Sequence, residues 1–244
     1  MSFADNFSEN TEDGELVRRL NDLVAQSERT GSPRFTLVLT EHEQAVASSV
    51  IRGELYGGYD EAERKMLRIG DFGEFPLCAF TASFRECDEL SHRDFLGSLM
   101  GLGIKRELVG DIIVSKGFAV FFTAQNVKEL VLSELSKVGR TGVKLTEGIT
   151  HPIPEREFEI MSVVVASMRL DAIVAAITNL SREKSLRLIK SGLVVCNGRC
   201  LTDGAVQINE NARLSVRGYG KYIVSQNCGQ TRKGKIHLEI KKYI

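Results

Sequence analysis

The 244 residues carry 32 Lys and Arg against 32 Asp and Glu, 43% apolar residues and five cysteines. A chain of this length can bury a core of its own and leaves room for two or three compact units. Apolar runs such as Ile160 to Ala166 fall far short of the roughly 20 residues a bilayer span needs, and the acidic opening MSFADNFSENTEDGE is no secretory leader, so a cytoplasmic protein without membrane segments is expected.

An odd number of irregularly spaced cysteines fits reduced thiols better than a disulfide framework. The zero net charge conceals a gradient: residues 1–160 hold 18 Lys and Arg against 27 Asp and Glu, a net of −9, whereas residues 161–244 hold 14 against 5, a net of +9. That asymmetry points to a basic module for a polyanion, with nucleic acid as the leading partner class.

In chain order, residues 11–29 place Leu16, Leu20, Leu23 and Val24 at helical spacing before TGSP breaks the chain. Thr40-Glu41-His42-Glu43 has the form of a capping box and predicts a second helix up to Gly53. Gly57-Gly58 marks a tight turn or a close backbone approach, with Arg64, Lys65 and Arg68 just beyond. From Pro76 the rhythm changes to strands at 77–85, 109–115, 118–123 and 141–147, with helices at 92–102 and 126–138. This βαββαβ order is the split βαβ plan of ferredoxin-like domains, which includes the RNA-recognition motif fold. Within it, SKGFAVFF (115–122) matches the aromatic RNA-recognition motif at Lys116, Gly117, Phe118 and Ala119. Val120, however, stands where a stacking aromatic belongs, so Phe118 is expected beneath another element and not beneath a base.

The stretch LSHRDFLGSLMGLGIKRELVGDIIV (90–114) offers Ser91, His92 and Asp94, but three groups within four residues cannot converge as a catalytic relay. Ser91 and Asp94 read as a helix cap, Gly97 and Gly101 as small residues for close packing, and Gly103 as a helix stop that leaves Lys105 and Arg106 on an exposed loop. His92 and Arg93 then stand at a helix start, where amides and a cation can meet a phosphate. These four cations are expected to form an RNA-facing rim.

After the linker-like HPIPERE (151–157), residues 168–224 read as two short helices and hairpins. Ser181 is a natural cap for the second helix and Gly192 its stop, with Leu186 and Ile189 on the buried face and Glu183, Lys184, Arg187 and Lys190 on the opposite arc. Asn197-Gly198 predicts a two-residue hairpin turn presenting Arg199, with Cys196 facing Arg199 and Cys200 facing Val195. The two thiols therefore point to opposite sheet faces, and no zinc set is expected from them with Cys228 and His237. The segment resembles the RNA-binding domain named after ribosomal protein S4, through Arg169-Leu170-Asp171, Ser181-Arg182, Gly192-Leu193-Val194, Asn197-Gly198 and Leu214-Ser215-Val216. Ser185, where the family usually has Ala, and Ala212, where an acidic turn residue is common, depart from it. The resemblance implies RNA contacts at Arg169, Ser181, Arg182, Lys184, Arg187, Lys190 and Arg199, beside the Asn197-Gly198 turn.

That module is shared by several protein classes. The Thr-Ser-Gly that follows Arg-Leu-Asp in pseudouridine synthases is absent, as are the ATP motifs of tyrosyl-tRNA synthetases and a phosphate-loop signature. Outside the module, LYGGYDEAERKM and the 90–111 stretch resemble the YlmH family of bacterial proteins. The resemblance rests on Gly57, Gly58, Tyr59, Ala62, Glu63, Arg64, then His92, Arg93, Asp94, Leu96, Gly97, Leu102, Gly103, Lys105, Arg106, Gly110 and Asp111. It implies an α+β chain: a mostly helical part (1–74), a ferredoxin-like RNA-binding domain (75–150), a linker and strand (151–167), an S4-type domain (168–226) and a basic tail (227–244). It further implies a monomer without cofactor or metal that binds rRNA and tRNA on the large ribosomal subunit. The family's role is ribosome-associated quality control of stalled chains, with looser links to cell division and photosystem assembly. Arg64 and Lys65 join the expected RNA-binding residues. An RNA-modifying enzyme and a ribosomal adaptor remain the alternatives.

Overall fold

The computed structural model describes residues 12–155, 157–230 and 234–243. Residues 1–11 of the expected N-terminal part, and residues 231–233 and 244 of the expected tail, lie outside the described residues. The chain forms two compact units, one up to Pro154 and one from Glu155 onward. Among the described residues no helix is long and apolar enough to cross a membrane.

The first unit opens with α1 (Glu12–Thr30), which has three acids in its first turn and Arg29 in its last, matching the helix dipole at both ends. Gly31, at φ +62°, ends it by donating to the Ser27 carbonyl at 2.8 Å. β1 (Arg34–Phe35) leads to α2 (Glu41–Val50), whose capping box is formed: the Thr40 amide donates to the Glu43 carboxylate at 2.7 Å and the Glu43 amide to the Thr40 hydroxyl at 3.3 Å. β2 (Glu54–Tyr56) and β3 (Met66–Ile69) complete a small antiparallel sheet, order β1-β3-β2, which the helical reading of this part did not contain. Leu16, Val17 and Leu20 of α1 bury against Val46 and Ala47 of α2 and Leu67 and Ile69 of β3.

The ferredoxin-like plan follows as β4 (Leu77–Ser83), α3 (His92–Gly101), β5 (Val109–Ser115), β6 (Phe118–Ala124), α4 (Lys128–Glu134), a small hairpin of β7 (Lys137–Val138) and β8 (Thr141–Gly142), and β9 (Lys144–Glu147). The sheet runs β5-β6-β4-β9, all antiparallel, which is the split βαβ topology. The helix expected over 126–138 is shorter, because Leu135 and Val138 turn into the core and the chain closes the β7–β8 hairpin. One sheet face, through Cys78, Phe80, Ala82, Ala119 and Phe121, packs on Phe95, Leu99 and Val131 of the helices.

The other face of that sheet is occupied. The Tyr59 ring stacks on Phe122 at 5.2 Å, and a Cβ built on Gly58 would lie 2.3 Å from the Phe122 ring, so only glycine lets the loop approach this closely. Thr81 is fully buried and donates to the Gly148 carbonyl at 2.7 Å. The Phe118 ring, half-buried, stacks on that of the loop residue His151 with centres 4.5 Å apart.

Asp111 of β5 fastens the loop to the sheet. Only 8% exposed, its carboxylate accepts from the Tyr59 hydroxyl at 2.8 Å, the Glu63 amide at 2.7 Å and the Arg64 amide at 3.1 Å.

The second unit is a six-stranded antiparallel sheet with two helices. Its elements are β10 (Phe158–Val165), α5 (Leu170–Thr178), α6 (Arg182–Lys190), β11 (Val194–Cys196), β12 (Arg199–Cys200), β13 (Arg213–Val216), β14 (Gly220–Gln230) and β15 (Ile236–Tyr243). The strand order is β10-β15-β14-β13-β11-β12. The segment read as a basic tail, with KIHLEIKKYI as its strand, supplies an interior one, because Leu238 and Ile240 are fully buried and complete the core with Ile173, Val174 and Ile189 of the helices.

Replacing Asp111 with Ala removes three hydrogen bonds at a buried carboxylate, and urea unfolding is expected to show a loss of roughly 2–4 kcal/mol. A loss below about 1 kcal/mol would mean that the loop is held by other contacts.

Candidate nucleic-acid interface

In the second unit the expected RNA contacts gather around a buried carboxylate. Asp171, in the first turn of α5, is 2% exposed. The Arg169 guanidinium donates to both of its oxygens, each at 3.1 Å, and Arg182, opening α6, donates to Oδ2 at 3.1 Å. Burial alone would raise the Asp171 pKa, but the Arg169 hydrogen bonds and the charges of Arg182 and Arg169 outweigh it and hold the carboxyl below its ordinary value. Arg169 and Arg182 are therefore committed first to fixing the start of α5 against the start of α6. Their side chains remain 38% and 57% exposed, which leaves donors facing solvent.

On α6 the Ser181 hydroxyl caps the helix by accepting from the Lys184 amide at 3.3 Å. Ser185 is fully buried, and its hydroxyl donates to the Ser181 carbonyl at 3.0 Å, so serine in place of alanine leaves no polar atom unsatisfied. Arg187 pairs with Glu183 one turn back on the exposed side. Lys184 and Lys190 are exposed and form no ion pair with another described residue.

The hairpin beside them is the expected one: Asn197 at φ +48° and Gly198 at φ +78° turn the chain, and Val195 pairs with Cys200 as Cys196 does with Arg199. The Asn197 side-chain oxygen also accepts from the Arg213 amide at 2.8 Å, so the turn is pinned to β13. Cys200 Sγ sits 3.5 Å from the Gly192 carbonyl, which sets exposed Arg199 beside the end of α6. Lys184, Arg187 and Lys190 thus share the exposed arc of α6, and exposed Arg199 stands on the hairpin that Cys200 joins to the turn after that helix. Among the described residues no group of three or more His, Cys, Asp or Glu is placed to hold a metal.

The middle-domain cations do not converge in this way. His92 and Arg93 are exposed in the first turn of α3, where Asp94 accepts from the Ser91 amide at 2.8 Å and from its hydroxyl at 2.6 Å; those bonds hold the Asp94 carboxyl below its ordinary value. Lys105 is exposed beyond the other end of a ten-residue helix, about 15 Å away at 1.5 Å per residue. Gly97 and Gly101 are not packing glycines: nothing lies within 4 Å of a Cβ built on either.

Arg106, expected on an exposed loop, turns inward and donates to the Val109 carbonyl at 2.6 Å. Burial and the adjoining Arg64 charge push its pKa down to about 10, against the pull of Asp111. Arg64 is likewise half-buried, and its guanidinium donates to the carbonyls of Val109 at 3.0 Å, Val38 at 3.2 Å and Arg106 at 3.4 Å. Arg64 ties the N-terminal segment to the ferredoxin-like sheet, while Arg106 closes on the start of β5. Lys65 is half-buried, with its backbone paired to Leu39. A cavity of about 530 Å³ adjoins the two arginines, but Arg19, Arg64 and Arg106 face Asp22, Glu43 and Glu107 around it, so its walls offer a phosphate no excess of positive charge. Sequence spacing missed this inward role because solvation and burial are alike to a motif.

Residues 75–151 match the family model described as "Putative RNA-binding domain in YlmH", and residues 168–214 match the S4 domain. The "Ribosome-associated protein quality control protein P2" of Bacillus subtilis (strain 168) is 32% identical over 216 residues, covering 83% of this chain and 84% of that protein. The solved "Cell division protein ylmH from Streptococcus pneumoniae" is similar over 59% of this chain and 94% of its own, with 23% identity and a TM-score of 0.49.

The Asp171 clamp makes stability pH-dependent. A folded-state pKa held below the unfolded one stabilises the protein above the unfolded value, near 3.9, and that contribution is lost as the pH falls through the folded value. Arg169→Gln is expected to raise the midpoint of acid unfolding followed by circular dichroism, whereas the same change on an Asp171→Asn background should shift it little. Equal shifts on both backgrounds would show that the arginine acts elsewhere.

Proposed function

The chain belongs to the YlmH family, and from that premise we propose that it binds ribosomal RNA and tRNA on the large ribosomal subunit, in the cytoplasm, during quality control of stalled nascent chains. It acts by binding and not by catalysis. The name of the Bacillus subtilis relative supports the setting. The observation that carries the RNA reading is the group formed by Lys184, Arg187, Lys190 and Arg199, exposed along α6 and at the adjoining hairpin tip within the matched S4 domain. Cations on a helix face can follow phosphates across the shallow groove of A-form RNA, and the Arg169–Asp171–Arg182 clamp, built on a buried carboxylate, keeps that face in place. Arg93 and Lys105 supply secondary cationic points on the ferredoxin-like domain.

Charge reversal at Lys184, Lys190 and Arg199 together, which spares the Asp171 clamp, should abolish co-sedimentation with large ribosomal subunits at physiological salt. It should also flatten the slope of log affinity against log salt by about 2 to 3. Undiminished co-sedimentation would refute this surface. In a separate assay, nucleoside digests of rRNA and tRNA incubated with the purified protein should match untreated controls; a new modified nucleoside would establish the enzyme reading instead.

A further inference from the structure

The sheet of the second unit has two faces, and the helices cover one of them. Val165, Leu214, Val224, Leu238 and Ile240 point into the core with α5 and α6. Residues at alternate positions must point the other way, and directly paired residues share a face.

Register then places two rows side by side on the uncovered face. One runs Arg213, Ile223, Lys241, Ile160 across β13, β14, β15 and β10; its neighbour runs from Ser215 to Lys221, with Tyr243 and Phe158 paired beyond them. Each row crosses three strand spacings, about 14 Å. Ile160 is 56% exposed and Val164, on the same face, 50%. The Phe158 and Tyr243 rings meet edge-on at 5.0 Å, with Lys241 Nζ 5.9 Å from the Phe158 ring centre and Lys221 Nζ 5.9 Å from that of Tyr243.

We propose that this uncovered sheet face is a second RNA-binding surface, which takes unpaired nucleotides while the α6 face takes the phosphates of a folded RNA. Its charge has the sign a polyanion needs, with Arg213, Lys221 and Lys241 set against Glu239. Aromatic rings and apolar side chains interleaved with cations are what splayed bases and their backbone require of a sheet, and a broad sheet cannot enter the deep, narrow major groove of A-form RNA. A face made for a protein partner would instead be depleted of lysine at its centre. Most of this face lies outside the residues matched to the S4 domain, so it adds a surface to that module. The proposal rests on the RNA-binding reading above but names different residues.

The test uses the full chain, a short unstructured oligouridylate and fluorescence anisotropy at fixed salt. Lys221→Glu with Lys241→Glu is expected to weaken binding roughly tenfold or more, with thermal unfolding unchanged and ribosome co-sedimentation through α6 retained in part. If the reversed pair destabilises the sheet, Lys221→Gln with Lys241→Gln keeps the stems in place and should still weaken binding severalfold. Unchanged oligouridylate affinity in a folded variant overturns the proposal. So does loss of that affinity only when Lys184, Lys190 and Arg199 are reversed, because one helix face would then bind both forms. A change of oligomeric state by light scattering with RNA affinity intact would also overturn it, identifying the face as a contact between two copies of the chain.

Discussion

A carboxylate can stay charged inside a protein only if donors surround it, and the candidate RNA interface depends on that constraint at Asp171. Two arginines from the starts of successive helices meet on one nearly inaccessible side chain, so the relative placement of α5 and α6 follows from satisfying a single charge. The cations on the exposed arc of α6 contribute little to stability themselves, as solvated charges generally do. They are held in position by a neighbouring carboxylate whose charge must be satisfied inside the fold.

Unit 1 uses the same device with another purpose. Asp111 gathers the Tyr59 hydroxyl and two backbone amides, while Arg64 and Arg106 satisfy carbonyls around it. The result closes a sheet face. A ferredoxin-like sheet of the RNA-recognition type binds bases on the face away from its helices, and here Tyr59, Gly58 and the segment around Gly148 and His151 lie on that face. The C-terminal sheet has the reverse arrangement, its far face exposed and carrying lysines beside aromatic rings. The two sheets thus differ in what they can bind because one spare face is covered and the other is open.

Much of this was legible along the chain. The capping boxes at Thr40 and Ser91, the βαββαβ order and the Asn197-Gly198 turn are local: each depends on dihedral preferences and hydrogen bonds within a few residues, and each forms where the spacing placed it. The motif residues were read correctly as belonging together, but several were assigned to RNA when their work is structural. Arg64 and Arg106 look like any exposed arginine in a sequence; the carbonyls of Val38 and Val109, far away in the chain, draw Arg64 inward, whereas Arg106 folds back on Val109 three residues along. Gly97 and Gly101 suggested a packed helix face, yet no partner element reaches them.

The sequence by itself determined most of the local elements, the family and the basic character of the second half, because periodicity, caps and charge are properties of neighbouring residues. Only the tertiary structure decided which cations face solvent, which sheet face is covered, and that the basic C-terminal segment enters the core as β15. Those outcomes depend on strand register and on polar groups remote in the chain finding one another, and neither is written in any short stretch of residues.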